Sequence, residues 1–345
     1  EKGNCAQATS NNSLRIIHGG FRYLQNLDIP RVVESCRDQQ ELLRKYPDFV
    51  QPLPSIMPLK AFGLKSRFPI MAAGLFYKSI VRLVCGLPVE VGYKDYSFVE
   101  KEIPILKGQA PHGVLYWTDA IMPCPLAFAE ALLKEIEDSQ AAAKLIENCT
   151  VQGVNPCGDF FDVEGFIDKE RHVWRSRAVI NTLGPWLKGK WRNELFPSSK
   201  WCKAFNVILK RSLDDHYAIG FHGDRRLYFV VPRNGVSVLG TEYIPFEGNP
   251  DEHEILDAEV MAFIESFNKT FPPAKLSLKD IDDVESGVLP MKRLTSEYPK
   301  LFGMEKIKQD EAYVEVLSTK YTTFQSQARK ALDRIEACLS SNANE

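Results

Sequence analysis

The 345-residue sequence has no Cys-x-x-Cys pair, no internal repeat, no low-complexity tract and almost no net charge. Each absence excludes something. Eight cysteines, at 5, 36, 85, 124, 149, 157, 202 and 338, have neither zinc-ligand spacing nor the density of a disulfide-framed domain. They point to buried free thiols in a reducing compartment and to no metal. A formal charge of −2 leaves no basic footprint for nucleic acid. No run of 18 apolar residues is uninterrupted, because Lys78 and Arg82 break the stretch from Phe68 to Val91. A core-packed helix is the first expectation for that stretch. An amphipathic element touching a membrane surface is the second. Glu1-Lys2-Gly3 is not a signal peptide, so the start reads as a processing product or a cut through a longer protein.

What is present is the composition of a soluble globular protein, with 44% hydrophobic and 26% charged residues, in a chain long enough for two domains. The stretch Thr9 to Leu24, TSNNSLRIIHGGFRYL, combines hydroxyl and amide side chains with adjacent glycines, His18 and Arg22. Such a loop lets backbone N–H groups approach a ligand. Helical periodicity follows over 29–46, entered through Pro30 and ended by Pro47, and again over 125–147. Residues 59–115 are of mixed character. Strands are expected at 149–151, 160–167 and 173–180, the last ending in a turn whose Thr182 to Pro185 form a second ligand wall. Strands at 205–209, 217–221, 226–232 and 236–241 imply an antiparallel sheet distinct from the earlier part. A helix over 251–271, strands at 284–290 and 313–318, and a last helix over 322–339 complete the pattern, with Thr322 or Thr323 as its N-cap.

These residues resemble a known family. TSNNSLRIIHGGFRYL is similar to the FAD-contacting segment of flavin-dependent glycerol-3-phosphate dehydrogenases, in the D-amino-acid-oxidase-like superfamily. Trp117-Thr118-Asp119, INTLGPW (180–186), YFVVPRNGVSVLGTEYIPFEGNP (228–250), ESGVLP (285–290) and STKYTTFQ (318–325) continue the likeness in order. That family opens with a strand, a Gly-x-Gly-x-x-Gly loop and a helix, and no such glycine pattern occurs here. The resemblance therefore implies that a first unit of roughly 30 residues is missing. Glu1 becomes the ribose-binding acid, and this chain alone binds FAD poorly.

The resemblance also implies roles. His18 is the base, and Arg22 and Lys320 complete the catalytic set, with Tyr23 beside them at the substrate. Thr9, Ser10, Ser13, Arg15, Gly19, Gly20, Thr182, Gly184, Pro185, Thr322 and Thr323 join Glu1 around the cofactor. A His that only orients the flavin is the alternative for His18. By their position at a strand end of the antiparallel sheet, His222 and Arg225 either reach the site or belong to a solvated hairpin, and His112, His172 and His253 are surface residues. Three departures stand out. Leu289 replaces the Arg of the family's Ser-Gly-Val-Arg-Pro, a second family Arg has no counterpart in 306–316, and Gln325 replaces a third. A charged hydrogen bond to phosphate contributes roughly 1.5–3 kcal/mol. Losing two weakens a phosphorylated substrate by about two to four orders of magnitude, unless Lys292 and Arg293 compensate.

The expected architecture is α/β. A Rossmann-like FAD-binding domain is made of 1–54, 116–190 and 311–345, and a mixed or antiparallel substrate domain of 55–115 and 191–310. The expected function is FAD-dependent oxidation of a small secondary alcohol, foremost glycerol 3-phosphate, with quinone or oxygen as acceptor. Oxidation of a 2-hydroxy acid or amine is the alternative, and a non-catalytic relic the rival from another class. The location is cytoplasmic, with peripheral membrane contact as an option. The sequence does not fix an oligomeric state.

Overall fold

A computed structural model describes the whole chain except residues 87–88, 140–141, 192–193, 197–199, 224–225, 296–297 and 343–345 and the side chains of 22, 25, 26, 295, 341 and 342. The N-terminal part runs β1 (Ile16–Ile17), α1 (Ile29–Lys45), β2 (Gln51–Pro58), α2 (Arg67–Cys85), β3 (Val91–Lys94), α3 (Tyr96–Glu102), β4 (Val114–Ile121) and α4 (Pro125–Asp138). The middle consists of β5 (Cys149–Cys157), β6 (Phe160–Ile167), β7 (Glu170–Ser176), β8 (Val179–Asn181), β9 (Lys200–Leu209), β10 (Ala218–His222), β11 (Leu227–Arg233) and β12 (Val236–Phe246). The last part is α5 (Asp257–Thr270), β13 (Ile281–Thr295), β14 (Tyr298–Leu301), β15 (Lys306–Asp310), β16 (Tyr313–Leu317) and α6 (Phe324–Asn342).

Ten strands form one curled sheet in the order β1-β4-β2-β10-β11-β12-β9-β13-β14, with β3 also paired to β4. The parallel pairing of β2 with β10 joins its two halves. The antiparallel strands of 200–246 lie in a different sheet from β5–β8, as the sequence suggested, but through β10 they continue onto β2 and β4. The domain boundaries placed at 54/55 and 115/116 fall inside β2 and β4. A second sheet, β15-β16-β8, pairs β8 and β16 in parallel, and β5-β6-β7 is an antiparallel meander. The run 173–180 is not one strand. It breaks at residues 177–178, where the Ser176 hydroxyl donates to the Ala178 carbonyl, and its two parts enter different sheets. The 125–147 helix stops at Asp138, where Ser139 turns back to bond the Glu135 carbonyl. The 251–271 helix begins only at Asp257, and the last helix begins at Phe324, directly after Thr323, whose carbonyl accepts the Gln327 N–H as an N-cap does.

Period-two alternation gives the large sheet two unlike faces. Tyr228 and Val230 of β11 pack with Phe263 and Phe267 of α5. Their neighbours Phe229 and Val231 face the other way, into a core shared with Val32 and Cys36 of α1 and Tyr77 and Val81 of α2. Helix α1 forms because Asp28 accepts the Arg31 N–H at its start, Pro30 suits the first turn and apolar side chains recur at helical spacing. Helix α2 departs from the first expectation. Gly74, Tyr77 and Val81 are buried, but Phe68, Leu75, Phe76 and Leu83 are exposed, so only a narrow inner stripe belongs to the core.

Helix α6 is held to α1 by ion pairs, Lys330 to Glu34 at 2.5 Å and Arg329 to Glu41 at 2.7 Å, and by the Ser326 hydroxyl donating to Asp38. Burial raises the Asp38 carboxyl to about 6, opposed by the Ser326 hydrogen bond and reinforced by Glu34 and Glu41. The native state thus keeps a proton that the unfolded chain releases near 3.8, and this group's contribution to stability falls as pH rises through that window. The expected outcome is that Asp38→Asn gains stability relative to the parent protein between pH 3.8 and about 6, with a constant advantage above. Urea melts at stepped pH measure it. A pH-independent difference would show that Asp38 titrates in the folded protein as it does in the unfolded chain.

Candidate active site

Strand β1 pairs with β4, Ile16 opposite Ile121 and Ile17 opposite Ala120, which carries His18 to the side of Asp119. Asp119 is buried, at 3% exposure, and its carboxylate receives three donors. His18 Nδ1 lies 2.9 Å from Oδ2, Trp117 Nε1 donates to the same oxygen at 2.9 Å, and the Gly19 N–H donates to Oδ1 at 3.0 Å. Burial by itself raises the acid; the charge of His18 and these hydrogen bonds outweigh it and hold the carboxyl below its usual value. An ionised carboxylate only accepts, so Nδ1 carries the proton that faces it, and in the neutral imidazole Nε2 is the basic nitrogen. The imidazole lies 5.6 Å from the Phe229 ring and keeps 26% of its side-chain surface accessible.

The two glycines after His18 serve the protein's own packing. A side chain at Gly19 would meet Gln39 Oε1 at 2.6 Å and the Tyr77 hydroxyl at 2.7 Å. Gly20 has φ +90 and sits against the Val32 carbonyl of α1. Gln39 donates to the Ile17 carbonyl and Tyr77 donates to the Gly19 carbonyl, both at 2.7 Å, so α1 and α2 fix the loop from behind.

Upstream, the loop is held by charge. Arg15, in the left-handed region at φ 63, donates to Glu285 at 3.0 Å. Arg233 donates to the same Glu285 oxygen at 2.7 Å and to the Ser13 carbonyl at 2.9 Å. Arg233 lies on the Phe229 side of β11, and Thr9 packs where a side chain on Gly287 would be, 2.8 Å from Thr9 Oγ1. Two guanidinium groups thus share one carboxylate, all three nearly buried, with Arg15 Nε, Arg233 Nε and Glu285 Oε2 lacking hydrogen-bond partners. Leu289 follows Glu285 and Gly287 along the same side of β13, and Lys292 and Arg293 are exposed.

The remaining sequence-derived residues fall into separate groups. Lys320 Nζ reaches the Tyr23 hydroxyl and lies 4.4 Å from its ring centre, with Arg31 over the same ring at 4.8 Å. The side chain of Arg22 lies outside the described residues, as does all of Arg225. Thr182, Gly184 and Pro185 surround a turn at the end of β8, where Asn181 accepts from the Leu183 N–H and donates to the Tyr313 hydroxyl. Thr323, just before α6, is buried and its hydroxyl accepts from the Gln327 side chain; Thr322 is half-buried. Glu1 and Ser10 are exposed, and the Glu1 carbonyl accepts from Cys149 N–H at the start of β5. His222 lies 3.1 Å from Lys65 Nζ, His112 is exposed, His172 stacks on Trp174 and His253 bonds the Pro250 carbonyl. The sequence reading gave no role to Asp119, Tyr77, Glu285 or Arg233. The Trp-x-Asp spacing of β4 was the one available signal, since it puts both side chains on one strand face.

The charge triad makes an ordered prediction. Glu285→Gln leaves two buried guanidinium groups without a counter-charge and is expected to destabilise by about 3 kcal/mol or more. Arg233→Met leaves the Arg15–Glu285 pair intact and is expected to cost less. Chemical denaturation of both variants tests the order, and the reverse order would contradict the sharing of one carboxylate.

The family model described as FAD dependent oxidoreductase matches residues 1–306. The chain belongs to that family. Its members are FAD-dependent, and the glycerol-3-phosphate dehydrogenase-like resemblance is shared by its relatives. The α-glycerophosphate oxidase of Enterococcus casseliflavus is 24% identical over 301 residues, 83% of this chain and 49% of that protein. The glycerol-3-phosphate dehydrogenase of Synechocystis is 26% identical over 321 residues, covering 84% and 55%. The chain thus spans about half the length of these relatives. In fold it is similar to the Bacillus halodurans glycerol-3-phosphate dehydrogenase solved with FAD, with a TM-score of 0.69 at 15% identity over 99% of this chain and 59% of that one. Glycine oxidase from Geobacillus kaustophilus shares the fold at a TM-score of 0.61 and 14% identity, over 92% and 81%.

Proposed function

We propose that the chain carries the substrate-side half of a flavin site that oxidises a small secondary alcohol bearing an anionic group, with glycerol 3-phosphate as the leading substrate. The observation that carries this reading is His18, locked to a buried Asp119 through Nδ1 with Nε2 free. Bound FAD supplies the hydride acceptor. His18 Nε2 takes the proton of the substrate hydroxyl, and Asp119 stabilises the imidazolium that forms. Asp119 is a positioning residue, since it acts through the imidazole.

The residues around the loop suit the cofactor. Thr9, Ser10 and Ser13 offer hydroxyl groups, and the partnerless Arg15 Nε and Arg233 Nε offer buried donors to a polar ring edge or an anion. With one carboxylate for two guanidinium groups, the cluster has an excess positive charge that an anionic ligand would balance. Lys320, whose ammonium stands over the ring of Tyr23 in the turn that follows the loop, adds a further cation. Quinone or oxygen is the proposed final acceptor. Leu289 supports a second reading, a 2-hydroxy acid or amine as substrate, because a carboxylate needs fewer cations than a phosphate.

Expressed with any coding sequence upstream of Glu1 and supplied with FAD, the protein is expected to show flavin absorption. Anaerobic glycerol 3-phosphate is then expected to bleach it, while lactate and amino acids do not. The reverse selectivity would favour the second reading, and a colourless, well-folded protein would establish a non-catalytic one. His18→Gln is expected to slow flavin reduction by roughly a hundredfold or more with the flavin still bound. Asp119→Asn places an amide donor opposite Nδ1, moves the ring proton to Nε2 and is expected to do the same. Unchanged reduction in both variants would remove His18 from the chemistry.

A further inference from the structure

We propose that α2 and the loop before it are a docking face for an anionic lipid surface, on which the helix lies flat. The reading does not depend on the proposed oxidation. At 100° per residue, Phe68, Leu75, Phe76 and Leu83 fall within about 100° of arc on one side of α2, opposite the buried Gly74, Tyr77 and Val81. They are 79%, 65%, 50% and 88% exposed. Phe62 and Leu64 extend the apolar surface into the preceding loop at 88% and 86%. An apolar window with mean hydropathy 1.4, of which only 17% is buried, is unlike the core helix of a globular domain.

Three observations choose the occupant. First, α2 cannot be surrounded by lipid, because Tyr77 donates to the Gly19 carbonyl and Gly74 packs on Val91, so its inner stripe belongs to the protein. Lying in the interface plane, rather than crossing, satisfies both faces. Second, residues 60–89 hold five cations, Lys60, Lys65, Arg67, Lys78 and Arg82, and no acidic residue, although the whole chain is net negative. Lys78 and Arg82 are exposed beside the apolar stripe, where they meet lipid headgroups. Third, a second copy of this chain docked by twofold symmetry would bring the same cationic frame against itself, which disfavours self-association. Acidic phospholipid supplies the missing counter-charge. Docking in this way puts the Gly19 carbonyl, and the His18 loop with it, one helix thickness from the lipid, about 10 Å.

The test is flotation of the complete protein with vesicles of phosphatidylcholine alone and of phosphatidylcholine with phosphatidylglycerol, with and without added FAD. Co-flotation is expected with the anionic vesicles, reduced by salt and independent of FAD. Phe68→Asp with Leu75→Asp, at exposed positions that leave the fold intact, is expected to cut the floated fraction by roughly tenfold or more. Lys78→Glu with Arg82→Glu is expected to abolish the preference for anionic lipid. In a Phe68→Trp variant, indole emission should shift to the blue on adding anionic vesicles. A folded protein that stays at the bottom of the gradient, or one whose flotation ignores both double variants, would overturn the proposal. So would sedimentation showing a dimer that Phe68→Asp with Leu75→Asp dissolves while the parent protein ignores vesicles.

Discussion

A single buried carboxylate organises the site. Asp119 sits under the start of the His18-Gly19-Gly20 turn and receives His18, the Gly19 backbone and Trp117 at distances of 2.9–3.0 Å. An ionised group this deep persists only when its donors replace the water it has lost. Any one of the three partners taken away leaves a buried charge short of a bond, so the imidazole, the turn and the indole are fixed together. The rest of the neighbourhood conforms to that point. Gly19 and Gly20 are small because α1 and α2 press on the turn, and Tyr77 and Gln39 occupy the space that side chains would take.

The second electrostatic anchor, Glu285 between Arg15 and Arg233, ties the hydroxyl-rich loop to the far side of the large sheet. The three residues come from the entry loop, β11 and β13, two strands that β12 and β9 separate in the ten-stranded sheet. Period-two alternation keeps Phe229, Val231 and Arg233 on the face turned toward that loop, while Tyr228 and Val230 feed the core under α5. One strand therefore builds the core with one face and the site with the other. The site is a property of the sheet as much as of the loop.

How much of this was legible in the sequence depended on how local its cause was. Helix α1 and strand β6 were read with nearly correct limits, because cap, proline and periodicity lie within a few residues of one another. The Thr9–Leu24 loop stood out by its own residues, and the family resemblance led from it to the FAD-dependent family. The partners were not legible. Glu285 is 270 residues from Arg15 and 52 from Arg233, so no local pattern marks them as a cluster. Asp119 was visible as part of Trp117-Thr118-Asp119, but its role needs β1 beside β4. Helix α2 was misjudged for a related reason. An element apolar on most of its surface does not declare by composition which side the protein covers. The run 173–180 looked like one strand because β-branched residues, Val179 and Ile180, resume past Ser176, whereas the hydroxyl of Ser176 ends it.

The protonation pattern of His18 tests the central claim most directly. Long-range proton–nitrogen NMR on selectively labelled histidine near pH 8 should find the proton on Nδ1, hydrogen-bonded and shifted downfield, with Nε2 unprotonated. Asp119→Asn should abolish that signal or move the proton to Nε2. A His18 protonated at Nε2 in the parent protein, or one indifferent to the Asp119 substitution, would contradict the account.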